Sequence, residues 1–180
     1  MVPSRLGMLV IYVPSLTVCL ISVFFWSSSQ PIHVQLVSFF SSLHFIKRVY
    51  EVLFVHRYSG QSVLQHNIII SFSYAGFSIC QLYFTSLVPS YAVNQYEMKL
   101  GMSLFILGEG LNHYHHCILS NLRRGGSKEY KIPTGGLFKY IWCPHYVTIF
   151  FYYYHMSFYL VLISYFLLFY FLFISNELVR

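Results

Sequence analysis

The feature that most restricts this chain is a succession of apolar runs, each near the thickness of a bilayer, with charge concentrated in the gaps between them. A hydrocarbon core about 30 Å thick takes roughly 20 apolar residues in a helix. Residues 6–26, 32–55, 67–87 and 100–122 meet that length, and residues 147–175 suffice for two helices meeting near His155 and Ser157. Pro14 is expected to kink the first. Only 9% of the residues are charged and there is no Asp, against roughly 25% charged in soluble domains. Such a chain cannot clothe a water-facing surface. The expected fold is all-α, a polytopic membrane helix bundle with about six transmembrane helices, and residues 1–180 form a single membrane domain.

The formal charge of +6 does not indicate nucleic acid as a partner, because the basic residues form no stripe along one helix. They mark topology. Arg5 precedes the first run, His56 and Arg57 follow the second, and Arg123, Arg124, Lys128, Lys131 and Lys139 follow the fourth. These connections alternate with loops near 27–31 and 88–96 that carry no Lys or Arg. By the positive-inside rule the basic face is cytosolic. Cys19, Cys80, Cys117 and Cys143 lie in apolar segments without CxxC spacing, so neither a disulfide framework nor a zinc site is expected.

Chemistry must sit where polarity intrudes on this background. The second run contains Lys47, Arg48 and Glu51, and the fourth contains Glu109, Asn112, His113, His115 and His116. Charges in a membrane segment face protein, water or headgroups. Asn112, His116 and Arg123 stand at helical steps of four and seven, so a polar stripe descends one side of that helix. It is either an interfacial anchor or a pocket for an anionic ligand. Residues 125–138 follow, with two glycine pairs among basic residues. Exposed glycine amides beside Arg and Lys suit phosphate oxygens, although the stretch is neither a Walker nor a Rossmann loop. One His cluster falls short of the repeated histidine boxes of a membrane metal oxygenase, and no metal is expected.

The chain resembles the C-terminal domain of the steroid 5α-reductase family, most closely its plant members. The resemblance rests on Pro3-Ser4-Arg5 with Pro14, on Leu43-His44-Phe45-Ile46-Lys47-Arg48 with Glu51 and Leu53-Phe54-Val55-His56-Arg57, and on the block 107–146. That block includes Leu119-Ser120-Asn121-Leu122-Arg123, Tyr130-Lys131-Ile132-Pro133, Gly135-Gly136-Leu137-Phe138 and Cys143-Pro144-His145-Tyr146. Membership implies a seven-helix, multi-pass enzyme of the endoplasmic reticulum membrane with NADPH as hydride donor. The implied substrate is a lipid whose C=C bond is conjugated to a carbonyl, either a 3-oxo-Δ4-steroid or a very-long-chain trans-2-enoyl-CoA. The family pattern places Asn112, His116, Arg123, Tyr130 and His145 around NADPH, and assigns Tyr146 and Lys47 to catalysis through similarity to the enoyl-CoA reductase branch.

Several positions depart from that pattern. The Glu and Tyr with which steroid-reducing members polarise the carbonyl are replaced by Tyr12 and Phe45. A Glu expected soon after Tyr146 is replaced within Thr148-Ile149-Phe150, and the chain ends at Arg180 without the family's basic, aromatic tail. A truncated form is expected on these grounds, and a non-catalytic membrane relic is the alternative to a reductase.

Overall fold

The computed structural model describes residues 1–123 and 132–144. Four long helices account for most of them: α1 Ser4–Ile21, α2 Ile32–Tyr50, α3 Leu64–Ser86 and α4 Gln95–Leu122. They follow the first four expected spans, with α3 and α4 starting three and five residues earlier than 67 and 100. The apolar stretch 147–175, on which a count of six depends, lies outside the described residues.

Local chemistry explains the boundaries. Pro3 and Pro31 stand at the N-caps of α1 and α2, where a missing N–H costs nothing. Asn94 caps α4, its side chain accepting from Tyr96 N–H at 2.9 Å, and Glu97 lies in the positively polarised first turn. This cap carries α4 past the apolar run and places exposed Lys99 within its second turn. Pro14 does not interrupt α1; the winding changes only at Ser22–Trp26, which is π-helical. Glu51–Val55, at the end of α2, is π-helical too.

α1 packs against α3 and α2, and α4 meets the π-wound end of α2. The apolar core holds Ile11, Tyr12, Cys19, Phe45 and Val52. Much else inside is polar. Ser15, Ser22, Ser38, Ser42, Ser78 and Thr85 are buried, and most of their hydroxyls bond a helix carbonyl or one another, as Ser22 Oγ does with Ser38 Oγ at 2.8 Å. Outside, Phe24, Phe25, Phe54, Phe72 and Ile106 are exposed. Small polar groups within and aromatic groups without is the arrangement of helices solvated by lipid. Ser4–Trp26 and Leu64–Ser86 are long and apolar enough to cross a membrane, with mean hydropathies of 2.3 and 1.4. α2 and α4 carry the charges described below.

A two-residue antiparallel bridge that the sequence did not suggest joins β1, Val2–Pro3, to β2, Gln61–Ser62. Ser4 N–H continues it, donating to Gly60 O at 3.1 Å. Arg123 donates from Nη1 to Arg57 O at 3.0 Å, and Ser120 Oγ bonds Val55 O. The start of α1, the end of α2 and the end of α4 therefore share one end of the bundle, as the alternating basic connections require.

Candidate functional site

Two four-residue sets with the same helical spacing face each other across the α2–α4 contact. His44, Lys47, Arg48 and Glu51 stand at steps of three, one and three, and Glu109, Asn112, His113 and His116 repeat those steps. Residues so spaced share one helix face. His44 Nδ1 lies 2.7 Å from Glu109 Oε1. Lys47 Nζ lies 2.8 Å from Glu109 Oε2 and donates to Asn112 Oδ1 at 2.6 Å. At the lower end Glu51, fully buried, lies 2.8 Å from Arg48 Nη1, 2.9 Å from His113 Nδ1 and 2.8 Å from His116 Nδ1. Lys47 Nζ is 3.6 Å from Glu51 Oε1, the oxygen that faces His113. Arg48 Nη2 also donates to Tyr12 Oη, and its guanidinium carbon stands 4.8 Å from that ring's centre.

The electrostatics follow from burial. A lone ion among these helices would be costly, but two carboxylates here meet the Lys47 and Arg48 side chains, with histidines beside the remaining acceptor positions. At the rim, His56 stacks on His116 with ring centres 4.8 Å apart. Burial, followed by the nearby His116 and Arg48 charges, pushes His56 down to about 4. Burial raises the neighbouring Tyr58 to about 12.

Among the described residues, Glu51, His56 and His116 could present three metal-ligand atoms, all within 4.8 Å of one another. The Arg48 guanidinium already contacts both Glu51 and His116, so a divalent ion would meet a fixed cation and an occupied carboxylate.

Of the residues singled out from sequence, Lys47 and Asn112 touch, and His116 joins them through Arg48 and Glu51. Arg123 stands apart at the exposed end of α4. Tyr130, His145 and Tyr146 lie outside the described residues. Tyr12 and Phe45, at the positions that diverge from steroid-reducing members, are both buried beside Tyr74. Arg48, Glu51, Glu109 and His113 carry no assigned role in the sequence pattern, and His44 enters only within a motif. The shared 0, 3, 4, 7 spacing was the signal that could have paired them.

Following α4, Gly135 and Gly136 adopt φ of 109° and 52°, the left-handed region open to glycine. They lead into a 3-10 turn, Gly136–Lys139. Separately, an open apolar groove of about 510 Å³ runs between α1 and α3, lined by residues including Leu9, Val13, Pro14, Ile68 and Phe72.

Residues 61–180 match the family described as 3-oxo-5-alpha-steroid 4-dehydrogenase. The chain is 43% identical over 107 residues to the very-long-chain enoyl-CoA reductase of Dictyostelium discoideum, covering 58% of this chain and 35% of that protein. It is 38% identical over 81 residues to 3-oxo-5-alpha-steroid 4-dehydrogenase 2 of Sus scrofa, covering 40% and 32%. The human protein of that name is 49% identical over 45 residues, covering 25% and 18%. The chain thus spans about a third of the length of the curated relatives it matches.

Proposed function

Because this chain belongs to the 3-oxo-5-alpha-steroid 4-dehydrogenase, or steroid 5α-reductase, family, we propose that it takes part in NADPH-dependent reduction of a C=C bond conjugated to a carbonyl in a membrane lipid. A very-long-chain trans-2-enoyl-CoA is the preferred substrate. The observation that carries this reading is the 2.6 Å contact between Lys47 Nζ and Asn112 Oδ1. It sets a residue assigned to catalysis against one assigned to the cofactor, inside a charge-balanced cluster between two helices.

The donor set suits a pyridine dinucleotide. Asn112 carries an amide, Arg123 a guanidinium able to grip phosphate, and two successive glycines adopt positive φ in the turn beyond α4, the kind of backbone that suits anionic oxygen. His116, Tyr130 and His145 complete the proposed set. NADPH, when bound, supplies the hydride that adds to the carbon β to the carbonyl. Lys47 is held by Glu109 Oε2 at 2.8 Å and by Asn112, so its charge is fixed in place to stabilise negative charge building on the carbonyl oxygen. Tyr146 delivers the proton to the α carbon. The enoyl-CoA reading is favoured over the steroid one because Phe45 has no hydroxyl and the Tyr12 oxygen is engaged by Arg48.

The chain lies in the endoplasmic reticulum membrane as a multi-pass protein of about six spans, with the end bearing Arg5, Arg57 and Arg123 in the cytosol.

The test is NADPH titration of the purified chain in detergent, followed by nicotinamide fluorescence. Saturable binding is expected, weakened about ten- to a hundredfold by Arg123→Ala, since a charge-assisted hydrogen bond is worth roughly 1.5–3 kcal/mol. Absence of binding would leave a helical scaffold without the cofactor and sink the proposal.

A further inference from the structure

The turn bearing Gly135 and Gly136 meets α4 at the His115 side chain. His115, fully buried, has Nδ1 2.6 Å from the Leu111 carbonyl oxygen one helical turn earlier. A carbonyl only accepts, so Nδ1 carries the proton and Nε2 keeps a lone pair. That lone pair meets the turn: Leu137 N–H donates to His115 Nε2 at 3.2 Å. The Phe138 ring packs edge-on against the imidazole with centres 5.4 Å apart. Gly136 makes the approach possible, because a Cβ there would stand 3.0 Å from both His115 Nε2 and Tyr114 Cε1.

We propose that His115 is a positioning residue of the dinucleotide site, a neutral imidazole that clasps the Gly135–Gly136–Leu137 backbone to α4 and fixes the phosphate-facing turn relative to Asn112 and Arg123 on the same helix. The inference rests on the NADPH reading above. Its physical content is preorganisation: a turn held by His115 has already lost its backbone freedom on folding, whereas an unclasped turn loses it on binding and weakens affinity accordingly. His115 touches no reacting atom in this scheme. A histidine serving packing alone would alter stability and leave dinucleotide affinity unchanged.

His115→Phe and His115→Gln separate these roles in the full chain. Phenylalanine keeps the ring and its edge contact but offers no acceptor; glutamine keeps an acceptor. NADPH and 2′,5′-ADP, a probe of the phosphate end, are titrated against each protein, with helix content checked by circular dichroism. The expected result is affinity about three- to tenfold weaker for both ligands in His115→Phe, the range of one net hydrogen bond, with recovery in His115→Gln. If His115→Phe does not fold, Gly136→Ala, which forces the turn off the imidazole from the other side, carries the same expectation. Wild-type affinity in a folded His115→Phe or Gly136→Ala chain overturns the clasp. A wild-type chain that binds neither ligand removes the cofactor reading, and the clasp with it.

Discussion

Glu51→Gln tests the energetics of the α2–α4 cluster directly. Glu51 is fully buried, and its two oxygens lie 2.8, 2.9 and 2.8 Å from Arg48, His113 and His116 and 3.6 Å from Lys47. Glutamine matches its shape but removes one of the cluster's two negative charges, leaving Arg48 buried against a neutral amide. Removing one partner of a buried pair costs about 3–5 kcal/mol. The amide oxygen still accepts one hydrogen bond, so the lower end, about 3 kcal/mol, is the expected loss. Reversible unfolding in mixed micelles, titrated with SDS and followed by circular dichroism, measures it. Arg48→Met, alone and combined with Glu51→Gln, completes a double-mutant cycle, and the two changes together should cost less than the sum of the single ones. A Glu51→Gln loss under about 1 kcal/mol, or additive changes, would refute the view that these groups balance one another in a low-dielectric contact.

Three further outcomes are expected. Glycosylation acceptors inserted near Ser28 or Ser90 should be modified in microsomes and one near Gly126 should not; the reverse pattern overturns the proposed orientation. Tyr146→Phe should leave NADPH affinity intact while lowering enoyl-CoA turnover about a hundredfold, the typical contribution of a general acid, and unchanged turnover moves the proton source elsewhere. Because His56 is held at about 4, below its ordinary 6.5, the native state binds fewer protons there than the unfolded chain. The His56 contribution to stability is therefore full above pH 6.5 and declines as pH falls toward 4. His56→Phe should lessen that decline in pH-dependent unfolding, and an identical decline in both proteins argues against the assignment.

Much of the helical framework was legible because apolar run length is a strong signal: α1 to α4 fall on the expected runs. Boundaries moved where capping chemistry outweighed hydropathy, as at Asn94, whose side chain starts α4 five residues early. The π-helical ends at Ser22–Trp26 and Glu51–Val55 and the β1–β2 bridge were not legible, because each depends on packing between distant segments. Within the cluster, helical spacing singled out Asn112 and His116 on α4, but not Glu109, His113 or the partners on α2. The contact of Lys47 with Asn112 becomes visible only when the spacing of 44, 47, 48 and 51 is laid beside that of 109, 112, 113 and 116. His115 escaped because its role lies in a ring nitrogen meeting a backbone amide 22 residues away, which leaves no pattern in side-chain types.

Isotope transfer is the most direct measurement of the central claim. The chain, reconstituted in lipid nanodiscs, is incubated with a trans-2-enoyl-CoA and NADPH carrying deuterium at the transferable position of the nicotinamide, and the product is read by mass spectrometry. The account predicts a saturated acyl-CoA with one deuterium on the β carbon and a solvent-derived proton on the α carbon. Reduced product lacking deuterium, or carrying it on the α carbon, would contradict it.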